Sequence, residues 1–244
     1  MKHIQDLFEK FSKMPEELRP QSAPMVWERV FQMVPDPCKV FIGGAGRGGL
    51  SRVMNQAGYQ VTSGDLHPSH FQVEGLTCDH IDLSKPLPFS DNQFDLIIAI
   101  EVMEHLEDPW LFFREALRVI KDNGKFIFSS PNVMSLYGRL IYMTTGLLPY
   151  FHQESFTGCY HVTPVFEWAV SRCCQTCDGV VDEIRYSRVD WPRSNDIPRY
   201  GGKFRRFFLN LLPCNRIFGE ITIYSIMKKI GNNNQILQGY HPET

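Results

Sequence analysis

The sequence predicts an α/β domain built on a doubly wound, largely parallel sheet. Three observations predict it. Short apolar runs alternate with helical stretches from Cys38 onward. A Gly-rich segment, Gly43 to Gly49, follows the first run. The run Phe94–Ile100 is apolar at every position but Asp95, as a strand covered on both faces requires.

Each element has its own signal. Residues 1–36 read as a helical extension, with Phe8, Phe11 and Met14 along one face. Met25, Val26, Val30 and Phe31 repeat the pattern after Pro20 and Pro24, and Pro35 and Pro37 stop it. Lys39–Ile42 reads as the first strand. A helix follows, with Leu50, Val53 and Met54 inward and Gly58 as its stop. Tyr59–Ser63 reads as the second strand, ending at Gly64 and Asp65. A third lies near His80 and Ile81, ending at Asp82 and Leu83. After the fourth strand, Phe94–Ile100, Asp108 and Pro109 give an N-cap and a first-turn proline for a helix expected to run to Asn123 and Gly124. Lys125–Ser129 reads as the fifth strand. The main domain spans 37–230, with cover segments at 132–165 and 191–219, and 231–244 reads as a flexible tail.

Composition narrows the function classes. The 244 residues are 43% hydrophobic, enough for a sizeable core, and the formal net charge of −2 lacks a general nucleic-acid binder's basic footprint. No apolar run reaches the ~18 residues of a membrane span. The first residues mix charges of both signs through their apolar positions, unlike a secretory signal, so a cytoplasmic chain is expected. The seven cysteines show no framework spacing, which suits a reducing compartment. Cys174 and Cys177 form a CxxC in the last turn of an expected helix, where the dipole does not activate a thiol, and they read as structural.

The Gly-rich loop carries the main chemistry. Glycines after a strand let the backbone turn tightly and approach a ligand, and the next helix points free N–H groups at it. Asp65, ending the second strand, can accept hydrogen bonds from a ribose diol, and Asp82, ending the third, can receive an adenine amino group. Pro88-Phe89, Phe94-Asp95 and Glu101-Val102-Met103-Glu104-His105-Leu106 follow in order.

At these residues the chain resembles the class I S-adenosylmethionine-dependent methyltransferases, above all the group with a "PF…FD…EV.EHL" signature. The resemblance is strong over roughly residues 38–131 and loose elsewhere. It implies a Rossmann-like sheet of seven strands, mostly parallel with the last antiparallel. Val180–Ile184 would begin the sixth strand and Glu220–Met227 would form the seventh. It places Gly43, Gly44, Ala45, Gly46 and Gly48 along the cofactor's methionine and ribose side, and Asp65 with Leu66 at the ribose. Asp82 and Leu83 fall at the adenine, and Ile100 and Glu101 beside the sulfonium. One position departs: the family usually carries an acid two residues before the first glycine of its loop, where this chain has Ile42. The loss corresponds to one charge-assisted hydrogen bond at the methionine end, about 1.5–3 kcal/mol.

For the chemistry, Glu104, His105 and His161 are the candidates. If a helix begins near Glu101, then Glu101, Glu104 and His105 share one face, and with His161 they form a candidate site for Mg²⁺ or Mn²⁺. The Glu-x-x-Glu-His arrangement resembles ubiquinone-pathway O-methyltransferases and small-RNA 2′-O-methyltransferases, where metal is implied. His105 as a metal-free base, and His161 as a base in the cover, stand beside that reading.

The favoured acceptor is a small or lipid-linked molecule. Segments 133–151, rich in Met, Leu and Tyr, and 199–212, with Arg199, Lys203, Arg205 and Arg206 among aromatics, could touch a membrane surface or enter the core. The alternatives are an RNA 2′-O-methyltransferase, against which the charge argues, a non-catalytic binding module, and an NAD-type enzyme using the same loop.

Overall fold

The computed structural model describes residues 2–19, 23–151, 160–187 and 215–230. The expected tail 231–244 and the basic stretch 199–212 lie outside the described residues.

Seven strands form one sheet: β1 (Lys39–Gly43), β2 (Gln60–Asp65), β3 (Cys78–His80), β4 (Phe94–Ala99), β5 (Ile120–Pro131), β6 (Gly179–Tyr186) and β7 (Ile221–Lys228). Their order is β3-β2-β1-β4-β5-β7-β6. The pairs among β1 to β5 are parallel, while β7 runs antiparallel to both its neighbours. The helices are α1 (Lys2–Ser12), α2 (Ala23–Phe31), α3 (Gly49–Gln56), α4 (Pro109–Val119), α5 (Leu136–Thr145) and α6 (Glu167–Thr176). This is the predicted architecture.

Strand residues alternate between two cores because successive side chains point to opposite faces. Val40, Ile42, Leu96 and Ile98 join α3 and the N-terminal helices on one face. Phe41, Ile97, Phe126 and Phe128 join α4 and α6 on the other. Leu7, Val30 and Phe31 of α1 and α2 are fully buried, so the extension shares the first core. Phe8 and Phe11 pack edge-on against Phe31 there.

Three boundaries differ from the sequence reading. The extension breaks after α1 into a 3-10 turn at Glu16–Leu18, with Pro15 preceding it. Helix α4 is capped by Asp108, whose Oδ1 accepts the Trp110 and Leu111 N–H groups, but it ends at Val119, short of Gly124. Ile120 already pairs with Phe94, and residues 121–124 bulge before Lys125 resumes the ladder opposite Leu96. Glu101 lies on no α-helix. Its φ of 54° puts it in the left-handed region before a 3-10 turn at Met103–His105, so the expected shared face with Glu104 and His105 does not form.

Candidate functional site

The carboxyl ends of β1 and β4 open onto a cavity of about 480 Å³. Gly43, Gly44, Ala45 and Gly46 form one wall, Ile42, Ile100 and Glu101 line the strand ends, and Gly49 and Leu50 lie at the start of α3. The loop's path demands glycine at two points. Gly44 has φ 70°, and a Cβ there would meet Val102 Cγ2 at 2.4 Å. Gly48 has φ 88°, and a Cβ would meet Phe71 and Val73 at 2.6 Å. The Gly44 and Ala45 N–H groups donate to the Gly64 carbonyl, which ties the loop to β2.

Asp65 ends β2 as expected. Its Oδ2 accepts the Gly46 N–H at 2.8 Å and its Oδ1 accepts the His67 N–H at 2.8 Å. The carboxylate therefore fixes the loop from the side. Leu66 is half exposed beside it. Asp82 lies two residues past β3 and closes a turn of its own. It accepts the Ser84 N–H and hydroxyl and pairs with Lys85 at 3.0 Å, and the Ser84 bonds hold its carboxyl down at about 2. Leu83 is buried under Gly43. Gly48, Asp65, Leu66, Asp82 and Leu83 are not among the residues lining the cavity; Asp65 reaches it only through its bond to the Gly46 N–H.

A second group gathers beside Glu101. Ligand atoms of Glu104, His105 and His161 lie within 4.8 Å of one another; this is the one such metal-capable cluster among the described residues, and Glu101 is not in it. The Glu104 main-chain oxygen accepts the Val162 and Thr163 N–H groups, which holds the cover segment against the 3-10 turn. The Glu104 side chain is buried, and its Oε2 has no hydrogen-bond partner. Burial raises its carboxyl well above the ordinary range, and Glu101 adds to the shift by like-charge repulsion. His161 Nδ1 lies 2.9 Å from the Tyr150 carbonyl and can donate to it. The rings of His105 and His161 stand 4.8 Å apart. Burial, and then His105, lower the His161 pKa from its usual value. Tyr150 and Tyr160, flanking this cover, both have positive φ, near 69° and 57°.

Sequence reasoning missed one wall of the cavity. Glu16, Glu17, Leu18, Arg19 and Trp27 of the N-terminal extension line it, as do Arg47 and Leu50. Pro15 and Pro20, bracketing Glu16 and Glu17, were the available signal that the helix breaks there. The cysteines differ in detail: Cys173, not Cys174, faces Cys177, with sulfurs 3.7 Å apart. Burial pushes the Cys173 and Cys174 thiols up to about 12, which keeps them protonated and suits a structural role.

The seven-stranded sheet of this order, with a Gly-rich β1 loop and an acid at the end of β2, is a Rossmann-like fold shared with solved methyltransferases. Solved structures agree. A S-adenosylmethionine-dependent methyltransferase from Archaeoglobus fulgidus superposes with a TM-score of 0.59 at 18% identity, covering 84% of this chain and 93% of that one. A chain from the complex of the Haloferax volcanii Trm112 methyltransferase activator with a methyltransferase gives 0.58 at 16%, covering 95% and 92%. Residues 43–128 match the family model described as a methyltransferase domain. That match spans about a third of the chain, and over it the chain is similar to methyltransferase domains. Among curated relatives, the ubiquinone biosynthesis O-methyltransferase of Stutzerimonas stutzeri is 31% identical over 103 residues, 38% of this chain and 44% of that enzyme. Cycloartenol-C-24-methyltransferase 1 of Oryza sativa is 41% identical over 75 residues, 30% of this chain and 21% of that enzyme. The chain thus spans less than half the length of the curated relatives it matches.

Proposed function

We propose that the chain transfers a methyl group from S-adenosylmethionine to a hydroxyl of a small or lipid-linked acceptor. The observation that carries this reading is the adjacency of two sites: the Gly-loop cavity and the Glu104–His105–His161 cluster, with Glu101 between them. The residues fit the cofactor. Gly43 to Gly46 line the cavity with backbone, and Asp65, bonded to the Gly46 N–H, is the carboxylate that a ribose would meet. When bound, S-adenosylmethionine supplies a methyl group on an electrophilic sulfonium.

The chain's own residues then have two tasks. Ile100 and Glu101 bound the cavity on the side of the histidines, so the acceptor enters from there. With Nδ1–H donated to the Tyr150 carbonyl, His161 keeps Nε2 as the basic nitrogen. Its lowered pKa keeps it neutral at physiological pH, ready to take the hydroxyl proton as the acceptor oxygen gains its methyl group. Holding the two reactants together supplies much of the remaining rate.

Two finer readings rest on their own observations. The first is a divalent cation, Mg²⁺ or Mn²⁺, held by Glu104, His105 and His161. Its support is the orphaned Glu104 Oε2 and the short span of the three ligand atoms. A cation there would lower the acceptor hydroxyl's pKa. The second is contact with a membrane surface through α5, where Leu140, Tyr142 and Met143 are at least half exposed and Leu147 follows. Among the described residues no helix is long and apolar enough to cross a membrane. An interfacial helix suits a lipid-linked acceptor.

The test is calorimetry with S-adenosylmethionine, S-adenosylhomocysteine and NAD, followed by transfer of radiolabelled methyl to a short-chain prenylated catechol and to a small RNA. Binding of the first two ligands and labelling of the catechol are expected. Binding of NAD alone overturns the reading, and labelling of the RNA alone replaces the acceptor class. For the cation, Mn²⁺ titration of the Glu104→Ala variant is expected to lose affinity; an affinity equal to wild type retires the metal.

A further inference from the structure

We propose that the 3-10 turn at Glu16–Leu18 belongs to the cofactor site, and that Glu16 and Glu17 receive the ammonium group at the cofactor's methionine end. The proposal rests on the reading above that the cavity takes S-adenosylmethionine.

The turn is built into the wall. Met14 and Leu18 are buried, and the Leu18 carbonyl lies so close to Gly49 that a Cβ on Gly49 would stand 2.2 Å from it. Arg47 Nη1 donates to the Glu17 carbonyl at 3.2 Å, which links the turn to the Gly-rich loop. Arg19 donates Nε to the Met14 carbonyl and Nη2 to the Ser12 carbonyl, which closes the turn on its other side. Packed on Gly49 of α3 and bonded to the Gly-rich loop through Arg47, the segment keeps Glu16 and Glu17 on the cavity wall.

Charge assigns them a task. The methionine end of S-adenosylmethionine carries an ammonium and, near it, a sulfonium. Ile42 and Ile100 at the strand ends, and Leu50 at the start of α3, offer no countercharge. Three acids line the cavity: Glu16, Glu17 and Glu101. Glu101 stands at the β4 end, where its charge already acts on buried Glu104. Glu16 and Glu17 face the cavity from the α3 side. Arg19 and Arg47, on the same wall, give the ligand's carboxylate its opposite partner. A wall carrying both signs matches a zwitterion better than it matches a neutral sugar or base. The isoleucine at position 42 is thereby compensated from a segment some 25 residues earlier in the chain.

The experiment is calorimetry on the full chain with two probes. S-adenosylhomocysteine carries the ammonium; methylthioadenosine has the same adenosine and thioether but lacks the amino-acid end. The double variant Glu16→Gln, Glu17→Gln is expected to weaken S-adenosylhomocysteine about tenfold or more and methylthioadenosine by less than about threefold. Unchanged affinity for S-adenosylhomocysteine overturns the proposal. So does equal weakening of both probes, which would make the turn a wall without a charge role. Asp65→Asn separates the two levels: if it weakens both probes while the double variant weakens neither, the turn is acquitted and the cofactor reading stands. If the wild type binds neither probe, both readings fall.

Discussion

The two halves of the proposed site are built from different materials. The half proposed for the cofactor is backbone: a loop of glycines, N–H groups donated to the Gly64 carbonyl and to Asp65, and strand ends in regular register. The half proposed for the acceptor is side chains. Glu104, His105 and His161 converge there, and the flanking residues Glu101, Tyr150 and Tyr160 hold left-handed backbone. Left-handed conformations at non-glycine residues cost of order 1–3 kcal/mol each and persist where surrounding structure over-determines them. The first half accordingly rests on the fold, and the second on side chains particular to this chain.

Substitutions can break or sharpen that contrast. The largest effect is expected from His161→Ala, which should lower kcat by about 10²–10⁴-fold while leaving affinity for S-adenosylhomocysteine within about threefold. In the wild type, kcat should rise with pH through a value below the usual histidine range and then level, because burial depresses the His161 pKa. A comparable loss of cofactor affinity in the variant would merge the two halves into one. Next in size is the loop. Gly44→Ala should destabilise by about 2–4 kcal/mol, combining left-handed backbone with the approach to Val102, whereas Gly46→Ala, with φ 53° but open space, should cost only about 1–2 kcal/mol. Thermal melting separates them, and equal costs would mean that backbone conformation alone constrains the loop.

A smaller, pH-dependent effect is expected at Glu104. Its folded pKa is raised, so its contribution is complete below the unfolded carboxyl value and is lost as pH climbs through the folded one. The wild type should therefore lose stability as pH rises above about 4.5, and Glu104→Gln should flatten that slope. A parallel pair of melting curves against pH would show that the carboxyl stays ionised. Least costly to the fold is the double change Leu140→Gln, Met143→Gln on the exposed side of α5, which removes apolar surface without adding charge and is expected to shift stability by no more than about 0.5 kcal/mol. Flotation with anionic vesicles should drop in that variant; undiminished flotation would dismiss α5 as a membrane contact.

Legibility in the sequence followed the same division. The sheet, the loop and Asp65 were readable because their signals are local: apolar runs, glycines and a carboxylate at a strand end. Glu101 was misplaced because a helical spacing rule was applied to a left-handed residue followed by a 3-10 turn. The end of α4 was misjudged because pairing of Ile120 with Phe94 overrode the Gly124 stop signal. His161 was named from its place in the cover, but its approach to His105 depends on Val162 and Thr163 bonding the Glu104 carbonyl, a contact that spans 58 and 59 positions. Pro15 and Pro20 could signal the break at Glu16–Leu18, but not that long-range contacts with Gly49 and Arg47 bring the turn to the loop.

The sheet order also dictates when the fold can close during synthesis. Strand β7 lies between β5 and β6 although it is made after both. Until residues 221–228 leave the ribosome, β5 has an open edge and β6 has no neighbour to join. An apolar template strand is then bare while nearly a hundred residues are translated, and a nascent chain in that condition is open to foreign strands. Cellular factors that shield such edges would matter most to this chain in that interval.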